Sequence, residues 1–459
     1  MAGSVWAATL PSTARVTGAP LDGDLDVDVA VVGAGYTGLW TAYYLAAADP
    51  RLRIVVLERE VVGFGASGRN GGWCSALLAT GIDTLARRSG RAAAIAMQQA
   101  MHETLDEVGR VVATEGIDAH FTKGGTITLA RTEAQEHRLV DELAEARSFG
   151  FGEEHLRRLP AEEVEPRCRA TATRMALFTP DCAALHPLRL AHGLAGAVQG
   201  RGVRICEHTA VTGLEPGRVA TTRGIVRAEV TVLATEAFGA QLPGRRRTLA
   251  PLYSLMVATD PMSEEQWARI GLADRPTFAD ARNTIIYGQR TADGRLAFGG
   301  RGAPYHYASR IATSFDTDER VRGLLIDTAR ELFPVLADVP FPFHWGGAIG
   351  VPRDWQCSVT FDRAQGLAVA GGYVGDGVST TNLAGRTLAD LITGRTSELV
   401  ELPWVGHRSR RWEPEPLRWI GINAALRVAG WADAAESRPD RSPRRAKLWR
   451  RVLAALSGR

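Results

Sequence analysis

The chain has 459 residues, 45% hydrophobic and 23% charged, enough for a large core and, as a prior, roughly two to four domains. Its 54 basic and 51 acidic side chains leave a net charge of +3, which gives no ground for a nucleic-acid or other polyanion partner. No uncharged apolar run reaches the roughly 18 residues of a membrane span; with no basic-then-apolar leader, five scattered cysteines and ten histidines without ligand spacing, a reduced, cytoplasmic protein without a metal is expected.

Residues 1–26 are polar and carry Gly and Pro, so an extended lead-in is expected. Residues 29–32 form a valine-rich run suited to a strand buried on both faces of a parallel sheet. It leads into a glycine turn, Gly33-Ala34-Gly35-Tyr36-Thr37-Gly38, and a helix expected over residues 37–48. The glycines allow a tight turn, close backbone approach to a pyrophosphate and close helix–sheet packing, while the helix start favours anions. A second apolar strand over residues 54–57 ends in Glu58, spaced to bind a ribose, with Arg59 beside it. Strand, turn, helix, strand and acid in this order predict a dinucleotide-binding βαβ unit. They leave NAD and FAD both open.

Residues 65–72 read GASGRNGG, too rich in glycine for a regular element and well placed for a second cofactor loop. Gly65, Ala66, Gly71 and Gly72 would let main-chain amides approach the ligand, and Ser67, Arg69 and Asn70 offer directed donors. Taken together, the glycine turn, Glu58 and this loop resemble the FAD-dependent D-amino acid oxidase superfamily, which includes glycine and sarcosine oxidases. The form of the loop is most similar to the gamma-glutamylputrescine oxidase branch. The resemblance implies an α/β, two-domain flavoprotein with a Rossmann-like FAD-binding domain and a mixed-sheet substrate domain. The expected FAD-binding domain is discontinuous, residues 27–90, 185–250 and 345–398. Residues 91–184 and 251–344 would form the substrate domain, and residues 399–459 a C-terminal extension.

Helical spacing is expected from 82 to 116, a half-buried strand over 121–130 and an amphipathic helix over 133–148. A helix over 188–198, a strand over 203–206 and paired strands ending in residues 230–235 return to the first domain. By the resemblance, Val211 meets the adenine, and Ala234-Thr235 stands at the family's Ala-Thr-Gly turn, with Glu236 where glycine is usual. Strands expected at 252–259, 283–288 and 295–300 would cover the flavin. Tyr253, Met256, Tyr287 and Arg301 are the candidates to line a substrate pocket there, since aromatic rings bracket amines and arginine clamps carboxylates.

Residues 367–370 predict a buried strand, followed by a second glycine turn, Gly372 to Gly377, and a helix from 379 to 393. In the family this turn lies against the flavin, which implies roles for Gly372, Gly375, Asp376, Gly377, Val378 and Ser379. Asp376 stands where related oxidases often carry histidine and is a candidate to contact substrate. Some relatives hold FAD through a cysteine, but Cys357 lies much closer to Gly372 than theirs, and an inert thiol is expected. The extension holds Trp and Pro clusters, a charged stretch at 436–447 and a short basic helix at 448–456, expected to pack on its own protein.

The resemblance implies hydride removal from the carbon next to an amine, with FAD carrying the chemistry and the imine then hydrolysed. The expected partners are a small amine or amino acid and O2 or another electron acceptor. Sarcosine oxidases use a flavin-facing lysine to activate oxygen, whereas residues 296–301 offer none here. Transfer to a quinone or protein acceptor, and a flavin-binding interaction protein without turnover, are the alternatives.

Overall fold

A computed structural model describes residues 3–301 and 303–436. The strands at its centre, rich in β-branched residues and buried at their carboxyl ends, lie in an eight-stranded sheet. Leu25–Val32 pairs in parallel with Ile54–Leu57 on one side and Ile225–Leu233 on the other. Arg204–Cys206 and Leu367–Gly371 extend this parallel core, Ser358–Asp362 adds an antiparallel edge, and the hairpin Val211–Glu215/Arg218–Thr221 joins Ile225–Leu233. Val32 sits opposite both Leu57 and Leu233, so Gly33, Glu58 and Ala234 leave the sheet at one edge. That edge, the carboxyl end of parallel strands, is where ligands bind in open α/β sheets.

Helices Tyr36–Ala48, Arg91–Thr114, Pro187–Gln199 and Gly377–Thr393 bury their apolar faces in the core beside this sheet. A second eight-stranded sheet runs in the order 343–351, 250–258, 296–301, 286–290, 277–280, 126–130, 175–179 and 157–160. It is antiparallel except where Thr277–Asp280 lies parallel to Thr126–Ala130, and it has its own core. The expected α/β architecture with a mixed second sheet is therefore present.

Several elements depart from their expected bounds for identifiable reasons. Residues 3–26 are not simply extended: a short helix, Val5–Ala8, is capped by Ser4, and Trp6 is buried with its Nε1–H donating to the Asn70 carbonyl at 2.9 Å. The helical stretch after residue 82 breaks at Gly90, whose φ is +91°. Residues 121–125 stay outside the strand, which begins at Thr126 after Gly125 adopts a φ of +77°. The strand expected from 283 begins at Ile286, because the Asp433 carboxylate accepts the N–H groups of Asn283 and Thr284, both at 2.7 Å.

Strand Phe343–Val351 pairs along its whole length with Ala250–Ala258, so residues 345–351 lie in the second sheet. Helix Arg91–Thr114 shares the core of the first sheet. Helix Leu417–Glu436, unforeseen in the extension, packs beside the second sheet, while the expected helix over 448–456 lies outside the described residues. No described helix is long and apolar enough to cross a membrane.

Trp6 fastens the start of the chain to the 65–72 loop. Trp6→Ala should lower stability by about 3–5 kcal/mol in urea denaturation, and an unchanged midpoint would refute this fastening role.

Candidate functional site

A cavity of about 860 Å³ opens at the carboxyl end of the first sheet and continues to the second. An amine alone would leave most of that space unfilled. At one end its wall carries Gly33, Gly35, Tyr36, Thr37, Glu58 and Arg59. Steric limits set this turn: a Cβ on Gly38 would lie 2.0 Å from the Gly33 carbonyl oxygen, and one on Gly35 2.9 Å from Ser67 Oγ. Gly33 itself has a φ of +107°. Ala34 and Gly38 are not on the wall; they support it, Ala34 by donating its N–H to Glu58 Oε2 at 2.9 Å. Glu58 Oε1 accepts the Glu60 N–H, and burial holds this carboxyl above its ordinary pKa.

Gly65, Ala66, Ser67, Arg69, Asn70 and Gly71 continue the wall. Their polar side chains are largely engaged within the protein. Ser67 Oγ accepts the Tyr36 N–H at 2.8 Å; Asn70 donates to the Ala66 and Ser67 carbonyls and accepts the Gly72 N–H. The Arg69 guanidinium bonds Asp316 and the Phe64 and Gly346 carbonyls. The expectation that Arg69 and Asn70 point their donors at a cofactor is thus revised: they shape the loop. Gly72 lies off the wall, packed against Gln289 and Leu185.

Val211, Ala234, Thr235, Gly375, Asp376, Gly377 and Val378 all reach the cavity. Ser379 is buried beneath it, with its hydroxyl donating to the Ser75 carbonyl, and Gly372 also lies off the wall. Thr37 and Tyr373 hydroxyls meet at 3.1 Å, tying the two glycine turns together. The helix that follows the second turn begins at Gly377, two residues earlier than expected, with Asp376 at its N-cap. Its positive end therefore faces the cavity.

Among the expected substrate residues, Tyr287 is on the wall, with its hydroxyl 2.8 Å from Ser254 Oγ. Tyr253 and Met256 are not: Tyr253 is buried in the second core with its hydroxyl against the backbone of Ala312, and Met256 packs with Trp6 and Trp345. Strand alternation accounts for Tyr253, whose neighbour Ser254 faces the cavity, while Met256 shares the face of Ser254 but lies two residues further along, covered by Trp6 and Trp345. Arg301 ends strand Leu296–Arg301, and its side chain lies outside the described residues. Cys357 is buried away from the wall, and burial pushes its thiol up to about 12.

Trp73, Thr128, Glu142, Glu236 and Gly347 also line the cavity, and sequence reasoning passed over them as ligand contacts. Trp73 directly follows the glycine loop and could have been flagged by that position. Glu236 has a φ of +45°, the left-handed conformation that makes glycine usual at such a turn. Its Oε1 accepts the N–H groups of Gly372 and Tyr373, both at 2.9 Å. Burial pushes its pKa up to about 7.

The donor set suits a dinucleotide. Two helix starts converge on one cavity, and the buried Trp73 Nε1–H and Glu236 Oε2 have no hydrogen-bond partner in the protein. His102, His155 and Asp181 gather within 4.8 Å elsewhere. The two imidazoles stack at 3.9 Å and 19°, so their lone pairs run in near-parallel planes and converge poorly on one ion.

A family model described as FAD dependent oxidoreductase (DAO) matches residues 28–391. The gamma-glutamylputrescine oxidoreductase of Escherichia coli strain K12 is 30% identical over 407 residues, 85% of this chain and 91% of that protein. The glycine oxidase of Geobacillus kaustophilus is 27% identical over 375 residues, 80% of this chain and 92% of its own length. Among solved structures, L-amino acid deaminase from Proteus vulgaris has a similar fold, with a TM-score of 0.68 at 19% identity over 86% of this chain and 98% of that one.

Because the folded protein holds Glu236 with a raised pKa, its stabilising contribution is complete below the ordinary value of 4.5 and is lost as pH rises through about 7. Glu236→Gln keeps the acceptor and removes the titration. In urea denaturation, wild type should lose up to about 3 kcal/mol relative to this variant between pH 5 and pH 8; a constant difference would exclude Glu236 as the titrating group.

Proposed function

The chain belongs to the FAD dependent oxidoreductase family, and on that footing we propose that it oxidises the C–N bond of an amine or amino acid, giving an imine that water hydrolyses. One observation carries the reading. A single cavity joins the glycine turn after the first strand to the Tyr287–Ser254 pair on the second sheet, so cofactor and substrate share one enclosure. When bound, FAD supplies the hydride acceptor.

Within that enclosure, Gly33, Gly35 and the helix start at Tyr36 and Thr37 hold the pyrophosphate, and Glu58 the ribose. Val211 backs the adenine. Residues 65–71, Ala234, Thr235 and the turn 375–378 surround the rest of the cofactor, with Ala34, Gly38, Gly72, Gly372 and Ser379 as supports. Tyr287 and Asp376 meet the substrate. The cofactor half draws on residues 27–90, 185–250 and the stretch after residue 351, and the second sheet forms the substrate half. Five free, buried cysteines suit a cytoplasmic setting.

O2 is the acceptor in the leading reading. A second acceptor class, quinone or protein, is favoured by one fact: Lys123, the only lysine among the described residues, pairs with Asp106 and is absent from the cavity wall.

The visible spectrum of the purified protein tests the proposal. Flavin absorbance should bleach anaerobically on addition of an amine or amino acid, and Tyr287→Phe should lower kcat/KM about tenfold with flavin content unchanged. Rapid recovery of the band in air identifies O2 as acceptor, and slow recovery identifies the other class. Protein that binds FAD but is bleached by none of them would overturn the reading.

A further inference from the structure

The net charge of +3 is the sum of two unlike parts. Residues 437–459 hold eight arginine and lysine side chains against one acid, so residues 1–436 are net negative. Within that acidic remainder, one patch at the start of helix Leu417–Glu436 is both basic and apolar.

Arg418 turns inward there. It is buried, bonding Glu415 at 2.8 Å and the Arg246 carbonyl at 3.0 Å. Its neighbours Leu417, Trp419 and Ile420 are left outside, 61%, 41% and 52% exposed. Glu415 also accepts the N–H groups of Trp419 and Ala308, at 3.0 and 3.1 Å, which brings Tyr307, 53% exposed, to the same place. Four large apolar or aromatic side chains thus stand in water around one buried ion pair, and an exposed cluster with a polar rim marks an interaction surface.

Arginines form that rim. Arg246 and Arg247 are joined to the patch through their backbones, the Arg246 carbonyl to Arg418 and the Arg247 carbonyl to the Trp412 N–H at 2.9 Å. Arg408, Arg410 and Arg411 lead into Trp412 along the chain. All five are exposed, and among the described residues no acid pairs with any of them. The acids close by are engaged elsewhere: Glu413 by Arg353 at 3.0 Å, Glu415 by Arg418, and Asp354 by His407 at 2.8 Å.

This combination selects the occupant. A nucleic acid would answer the arginines and leave Leu417 and Ile420 in water. A second copy of the chain would cover those two and set one arginine rim against another. An anionic bilayer surface satisfies both demands: apolar side chains enter the boundary of headgroups and acyl chains, Trp and Tyr sit at headgroup level, and arginines meet lipid phosphates. Residues 437–459 follow this helix directly in sequence, and their positive charge adds to the same attraction.

We propose that the start of helix Leu417–Glu436 is a peripheral docking surface for an anionic membrane, with Tyr307, Leu417, Trp419 and Ile420 at the interface and the surrounding arginines on the lipid phosphates. Docking needs no refolding, because Ile422 on the inner face of the helix stays packed with Tyr305, Val374 and Trp412.

Co-sedimentation of the FAD-loaded full chain with vesicles tests the proposal. Binding to phosphatidylcholine vesicles holding about 30% phosphatidylglycerol should exceed binding to phosphatidylcholine alone at least about tenfold, and should weaken as salt rises. Leu417→Glu combined with Ile420→Glu should cut it at least about tenfold, and Arg410→Glu combined with Arg411→Glu by about thirtyfold or more. All four positions are exposed, so FAD content and the urea midpoint should stay unchanged.

Equal binding to the two kinds of vesicle, or binding to neither, would overturn the proposal. Anionic binding that survives the apolar pair of substitutions would overturn it too, since the contact would then be one of charge alone. A dimer in sedimentation velocity, or a urea midpoint, that is lost with the apolar pair in the absence of vesicle binding would assign the patch to a second copy or to residues 437–459 instead. None of these readouts uses turnover, so the docking surface stands or falls apart from C–N oxidation.

Discussion

The whole cavity depends on how closely the first helix can approach the strand before it. A Cβ on Gly38 would sit 2.0 Å from the Gly33 carbonyl oxygen, so the helix can start where it does only without a side chain there. The same closeness recurs one layer out, where a Cβ on Gly385 would lie 2.7 Å from Trp40 Cβ. Helices Tyr36–Ala48 and Gly377–Thr393 thus pack nearly backbone to backbone and bring both N-termini to one edge of the sheet. The Thr37–Tyr373 hydrogen bond fixes the two starts relative to each other. Two aligned helix dipoles then favour negative charge at the same place.

That arrangement explains why so many polar side chains of the glycine loop turn away from the ligand space. A loop with little side-chain bulk has no core of its own, and its conformation must be held by hydrogen bonds. Asn70 closes it internally, Ser67 ties it to the first helix, and Trp6 and Trp345 donate to the carbonyls of Asn70 and Arg69. Arg69 then crosses to Asp316 and to the Gly346 carbonyl of the second sheet. A largely buried ion pair of this kind adds little net stability, because desolvation offsets attraction, but it disfavours any other relative placement of the loop and the second sheet.

Sequence alone made the cofactor half legible because its constraints are local. Gly33, Gly35 and Gly38 recur within six residues, the contact of Gly38 with the Gly33 carbonyl is made inside that turn, and the strand at 54–57 is apolar throughout. Glu236 shows where local reading stops. The missing glycine was visible, but its carboxyl bonds residues 136 and 137 positions away, and no pattern near it announces that. Tyr253 and Ser254 show a second limit. Which of two adjacent strand residues faces the cavity depends on register against Phe343–Val351 and Leu296–Arg301, and a slip of one residue exchanges them. An aromatic residue drew attention, and the serine beside it held the position. The N-terminal segment was misread because four residues of helix are too few for periodicity to register.

The part of the chain beyond the family match, after residue 391, bears directly on the cavity wall that the second sheet supplies. Helix Leu417–Glu436 reaches back so that Asp433 takes the N–H groups of Asn283 and Thr284, immediately before the wall residues Ile285 and Ile286. Glu436 holds Arg138 at 2.8 and 2.9 Å, and Arg138 in turn holds the Ala281 carbonyl beside Asp280. Charge-assisted bonds of this type contribute about 1.5–3 kcal/mol each, and here they converge on five residues, 281–285, that lie between two strands and have no ladder of their own. The extension thereby does for this stretch of the cavity wall what Asn70 does for the glycine loop. By engaging Arg138 it also ties helix Glu133–Ser148 to the same stretch, so one ion pair from the extension fixes two elements of the second half of the molecule at once.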